Sequence, residues 1–197
     1  MLRSCREGNC EWTEFSNLEQ CNPCLKPRTR PKPDLTYAFP IHDSPLNDLS
    51  RFERDHFTRC FSVQALKTLS EKGIICAPTT GLRKWTERAK RTFLSTTDLA
   101  CFPWAVVEFK KQVPGSRTSP VERCYCQAAN ASAAALELQG QLFALVVDKT
   151  YSTLPPIISF TCIGPIVRVW LTYYTEPDST GKQVRVSASS TTYRAGS

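Results

Sequence analysis

The sequence has no uninterrupted apolar run near the roughly 18 residues that a membrane span needs, and its start, MLRSCREGNC, lacks the apolar centre of a secretory signal. No membrane association is therefore expected, and the expected location is intracellular, nucleus or cytoplasm. Glycine is sparse, 8 residues of 197, and falls in neither a G-x-x-x-x-G-K-[ST] phosphate loop nor a dinucleotide-binding G-x-G-x-x-G. There is no H-E-x-x-H for a zinc hydrolase and no G-x-S-x-G elbow for a serine nucleophile. Histidine is rarer still: His42 and His56 are the only two, without ligand spacing. These absences remove most enzyme classes with a local signature and leave hydrolysis assisted by a metal ion. No internal repeat is visible either, which excludes a solenoid.

What is present is ordinary for a globular chain: 41% hydrophobic and 22% charged residues, enough for one core that buries roughly two thirds of the unfolded surface. The formal charge is +7, from 25 Lys+Arg against 18 Asp+Glu, so an anionic partner such as nucleic acid is electrostatically favoured. Basic residues gather in KPRTRPK (26–32) and RKWTERAKR (83–91). Such runs are as often a solvated helix face or arm as a binding surface.

Ten cysteines are many for this length but below the density of a small disulfide scaffold. Cys101, Cys124, Cys126 and Cys162 sit in apolar patterns, where a free thiol behaves as a small hydrophobe. Cys5, Cys10, Cys21 and Cys24 contain one C-x-x-C pair and one loose pair, a set that a structural zinc ion can use.

Along the chain, Trp12, Phe15 and Leu18 at helical spacing predict a helix over 11–20. Prolines make 27–33 an extended connector, and DLTYAFPI (34–41) follows as a strand. Apolar residues from 47 to 73 predict one or two helices stopped by Gly73, then KGIICAP as a brief strand or turn. The run WAVVEF within 98–111 reads as a buried strand. Ser119 as N-cap, Pro120 at the first helical position and Glu122 open a long Ala-rich helix. IISFTCIG and PIVRVWLTYYT form a hairpin around Gly164-Pro165, and KQVRVSAS is one more strand.

Glu108 and Lys110 stand out because ionised groups in a buried strand are costly unless they meet a partner or a metal. Two residues apart on a strand, they share one face. One more carboxylate from a neighbouring strand would let the pair hold a hard divalent cation, with the lysine near an attacking water. Asp98, ten residues before Glu108, suits a local hairpin, whereas Asp34 begins the better strand. A structural ion pair at a strand end is the competing reading.

KPDLTYAF, FPWAVVEFKK, ERCYCQAANASAAAL and PPIISFTCIGPIVRVWLTY, in that order, resemble the fungal PD-(D/E)XK nuclease-like domain proteins across most of residues 30–175. The resemblance implies an α/β fold of mixed α+β type: a restriction-endonuclease-like core with a central mixed sheet flanked by helices. It divides the chain into an N-terminal helical segment (1–25), the nuclease-like domain (26–175) and a divergent tail (176–197). It implies Mg2+ or Mn2+ held by Asp34 and Glu108, with Lys110 assisting phosphodiester hydrolysis and Gln127 beside the site. Glu11 matches the extra acid of the first helix. Nucleic acid is the implied partner, DNA ahead of RNA.

The ending SASSTTYRAGS and the short first helix depart from that pattern, where relatives continue with a further strand and helix. A C-terminally shortened, inactive domain that binds nucleic acid or a protein is therefore the alternative expectation. A zinc-stabilised regulatory module built on the N-terminal cysteines is the third.

Overall fold

The computed structural model describes residues 5–16, 30–42, 60–82, 98–111, 120–144, 154–174 and 185–194. They form a mixed six-stranded sheet in the order β1-β2-β3-β4-β5-β6, and two α-helices. The strands are β1 (Cys5–Gly8), β2 (Leu35–Pro40), β3 (Ala100–Lys110), β4 (Ile157–Ile163), β5 (Ile166–Tyr174) and β6 (Arg185–Arg194). The helices are α1 (Val63–Glu71) and α2 (Pro120–Phe143). Neighbouring strands are antiparallel except β3 and β4, which are parallel. A parallel pair needs a long crossover, and α2 lies in that connection.

β3 is central because its residues are buried almost without a break, as expected of a strand packed on both faces. Its register with β2, β4 and β5 lines up Leu35, Val107, Phe160 and Val169 in one row, and Thr36, Val106, Ser159 and Trp170 in the next. Because side chains alternate, these rows face opposite sides. α2 packs on the second side. Its buried Cys124, Ala128, Ala131, Ala135 and Leu138 recur at helical spacing, and the small alanines allow a close approach to the sheet. Thr172 donates to Ser132 Oγ across this contact at 2.9 Å, and Gln139 Nε2 donates to the Pro103 carbonyl at 2.9 Å. Val106, Ile157, Ala131, Leu136 and Leu138 join Leu66 of α1 and Trp12 in one core.

The hairpin, the long helix and the strands over 34–41 and 98–111 follow the sequence expectations. Gly73 ends α1 as expected: it adopts φ 80°, and the Ile74 N–H reaches back to the Leu69 carbonyl at 3.1 Å. At the other end the Ser62 hydroxyl accepts from the Ala65 N–H at 3.2 Å. Ser62→Ala is expected to cost about 1 kcal/mol, read as a lower denaturant midpoint at unchanged m. Residues 43–59, Ser119 and His56 lie outside the described residues, so the rest of the 47–73 expectation and the helix cap do too.

One reading is corrected. The helix over 11–20 is, within the described residues, a single 3-10 turn, Thr13–Ser16, with Trp12 buried against Phe15. Of the two alternatives for KGIICAP the structure takes the turn, at Lys72-Gly73, and the Ile75 N–H is satisfied by Gln141 Oε1 at 3.0 Å. Of the flanking segments, the described residues Cys5–Gly8 and Arg185–Arg194 join the sheet, β1 pairing with β2 and β6 with β5. Within its expected range β3 bulges opposite Ala38, where Phe102 takes φ 43°.

Candidate active site

The loop before β2 and the C-terminal end of β3 bring Asp34, Glu108 and Lys110 together. Leu35 pairs with Val107, so Asp34 falls beside Glu108 in the next row. The Phe109 N–H, between the two motif residues, donates to Asp34 Oδ2 at 2.6 Å and fixes that carboxylate at the strand end. Lys110 Nζ lies 3.5 Å from Glu108 Oε2 and 3.8 Å from Asp34 Oδ2. The period of two thus delivers carboxylate and ammonium to one face, as the sequence predicts.

The three groups differ in solvation. Glu108 is only 1% exposed, whereas the Lys110 and Asp34 side chains are 23% and 34% exposed. Among the described residues neither Glu108 carboxylate oxygen has a partner at good hydrogen-bond geometry; Lys110, 3.5 Å from Oε2, and the Asp34 carboxyl are its close polar neighbours. Burial, reinforced by the Asp34 charge and opposed by Lys110, pushes the Glu108 carboxyl up to about 7 from its ordinary 4.5. Two carboxylates and one ammonium leave one unbalanced negative charge when Glu108 is ionised. A cation with vacant coordination positions would relieve it.

Asp98 is not part of this cluster. It precedes β3 at the end remote from Glu108, on the order of 30 Å away along an extended strand. There it accepts from Thr79 Oγ1 at 2.6 Å, and a Cβ on Gly81 would overlap its carboxylate. The local-hairpin expectation fails because Asp98 leads into the same strand that carries Glu108 rather than starting a neighbouring one. Glu11 is also elsewhere, exposed and paired with Arg30 at 3.3 Å. Gln127 is exposed on α2 and makes no hydrogen bond to the cluster.

Cys124, one turn before Gln127, is the α2 residue that reaches the motif: its thiol donates to the Glu108 carbonyl at 3.6 Å and is fully buried. Burial, with Glu108 nearby, pushes the thiol up to about 11, so it stays protonated and acts as packing. Its helical spacing with Ala128 and Ala131 was the available sequence signal. Thr161 and Arg168 continue the Glu108 row across β4 and β5. Neither is legible as a neighbour without the strand order.

Mg2+ is commonly bound by one or two carboxylates with water and substrate phosphate completing the shell. Asp34 and Glu108 fit that requirement: among the described residues the two Glu108 oxygens have no partner at good hydrogen-bond geometry, and Phe109 anchors Asp34 through Oδ2. Among the described residues no group of three or more His, Cys, Asp or Glu side chains forms a larger metal cluster. The zinc expectation and the basic run 83–91 lie outside the described residues, since Cys21, Cys24 and the Cys5 side chain do. Among the described residues no helix is long and apolar enough to cross a membrane. No family model, curated protein or solved structure matches the chain.

Proposed function

We propose that the protein is a metal-dependent nuclease that hydrolyses phosphodiester bonds of nucleic acid, with DNA the first substrate. The observation that carries this reading is a buried Glu108 carboxylate without a partner at good hydrogen-bond geometry among the described residues, beside Asp34 and Lys110 at the rim of the sheet. An apolar or amide side chain would be cheaper there for stability alone, so the arrangement suits a ligand better than a core. Asp34 and Glu108 would hold Mg2+ or Mn2+, which supplies Lewis-acid polarisation of the phosphoryl oxygen and a water of lowered pKa.

The rest falls to the chain. Lys110 bridges the two acids and is partly exposed, which suits it to orient or deprotonate the attacking water and to neutralise charge on the phosphoryl oxygens. The Phe109 amide keeps Asp34 from turning away. Cys124 packs its buried, neutral thiol against the backbone of Glu108 from the helix side. Glu108 must lose its proton to act, so activity is expected to rise with pH through about 7 in limiting metal.

Metal binding is tested apart from turnover by thermal unfolding. At about 100 times its dissociation constant, Mn2+ is expected to stabilise the wild-type protein by about 2.7 kcal/mol. Glu108→Gln should show almost none of that gain. Equal stabilisation of both proteins would mean that the ion binds elsewhere.

A second reading, a nuclease-like domain that binds nucleic acid without cutting it, draws on the two-acid cluster and on Gln127 and Glu11 remaining outside it. It requires no Mg2+ dependence.

A further inference from the structure

Arg168 lies on β5, two strands from Glu108 and in the same row: Glu108 pairs with Thr161, and Thr161 with Arg168. Successive strands are about 4.8 Å apart, so the backbones of Glu108 and Arg168 are about 10 Å apart, on the face that carries α2. The guanidinium carbon sits 5.3 Å from the centre of the Tyr125 ring, in the first turns of α2. Tyr125 is held in turn by an edge contact with Trp170 at 5.1 Å, and Trp170 Nε1 donates to Thr161 Oγ1 at 3.0 Å. Strand register, an aromatic platform and an indole hydrogen bond therefore fix the guanidinium in one place.

One of its donors is not used. Arg168 Nε is buried without a hydrogen-bond partner, and among the described residues Arg168 makes no ion pair. An unsatisfied buried donor is destabilising, more so on a charged group, and a purely structural cation over a ring does not require it. A guanidinium is shaped for a forked contact with a tetrahedral or planar oxyanion. The half-buried side chain leaves its terminal nitrogens on the same side of the sheet as the acid cluster.

We propose that Arg168, pre-positioned by Tyr125, binds a backbone phosphate of a nucleic-acid strand flanking the phosphodiester at Asp34, Glu108 and Lys110. The identity of the anion rests on the nuclease reading; the anion-binding role rests on Arg168 itself. The contact is to phosphate and so is indifferent to sequence.

The test is fluorescence-anisotropy titration of labelled single-stranded and duplex oligonucleotides in EDTA at several salt concentrations, with wild type, Arg168→Gln and Arg168→Lys. Arg168→Gln is expected to bind about tenfold more weakly at low salt, with a salt slope smaller by about one, and to melt no lower than wild type. Arg168→Lys should keep the slope and lose part of the affinity. Unchanged affinity and slope in Arg168→Gln would overturn the proposal, as would absence of binding by wild type. If Arg168→Gln does not fold, wild-type affinity in a folded Arg168→Lys would overturn it, because the forked contact would then be unnecessary. Arg168-dependent binding without cleavage in Mg2+ or Mn2+ would retain this site and remove the nuclease reading. Cleavage whose KM and salt dependence ignore Arg168 would do the reverse.

Discussion

In EDTA at pH 8, Glu108→Gln is expected to be more stable than the wild-type protein by about 1–3 kcal/mol, although it removes the acidic partner nearest Lys110. Burial holds the folded-state carboxyl near 7, while the unfolded chain titrates near the ordinary 4.5. The folded state therefore binds this proton more tightly. Its contribution to stability is complete below about pH 4.5 and is lost as pH rises through about 7. A glutamine carries no such titration, so the gap between variant and wild type should open across that window and stay constant above it. Chemical denaturation at pH 5, 6, 7 and 8 reads the gap directly. A structural salt bridge predicts the opposite order, with the variant less stable at pH 8 because Lys110 has lost its nearer carboxylate. A stabilising substitution at a buried acid is what a site kept for ligand chemistry should give.

The second large effect is expected at Lys110. Lys110→Ala should lower metal-dependent cleavage by about two to four orders of magnitude, the range for a positioned proton-transfer or charge-neutralising group. Oligonucleotide affinity should stay within a few-fold of wild type, since one partly exposed ammonium is a small share of a phosphate-binding surface. Asp34→Asn should match it in the loss of cleavage while keeping the Phe109 N–H contact, because an amide oxygen still accepts that bond. If Lys110→Ala binds poorly and cuts the bound fraction at the wild-type rate, the lysine serves affinity and not the reaction.

The residues differ in how far the sequence reveals them, for physical reasons. Glu108 and Lys110 were legible because an ion in an apolar run is expensive and because strand side chains alternate strictly. The β4–β5 hairpin was legible because Gly164, at φ 55°, and Pro165 mark its turn. The choice between Asp34 and Asp98 was not settled by spacing, since both precede an apolar stretch. It turns on the antiparallel pairing of Leu35 with Val107, a contact between distant parts of the chain. Resemblance to the PD-(D/E)XK pattern pointed to Asp34, and the pairing puts Asp34 beside the motif.

Other parts had no local signal. β1 is only four residues, CREG, and exists through its pairing with β2. The Phe102 bulge puts a bulky residue at positive φ, which local preference disfavours, with the Phe102 N–H donating to the Cys76 carbonyl at 3.0 Å. Glu11 and Gln127 followed from likeness to a pattern and not from any physical constraint on their own neighbours. One pairs with Arg30 and the other lies exposed on α2. Arg168 reads in the sequence as one charge in an alternating strand. Only the order β3-β4-β5 puts it in the Glu108 row.

The most direct measurement is cleavage of supercoiled plasmid and of a single-stranded oligonucleotide by the purified full chain in Mg2+, Mn2+ or EDTA, beside Lys110→Ala. Metal-dependent cutting by wild type, absent in EDTA and lost in the variant, is the expected result. A folded wild-type protein that cuts neither substrate in either metal, or a Lys110→Ala protein that cuts at the wild-type rate, would contradict a phosphodiesterase site built from Asp34, Glu108 and Lys110.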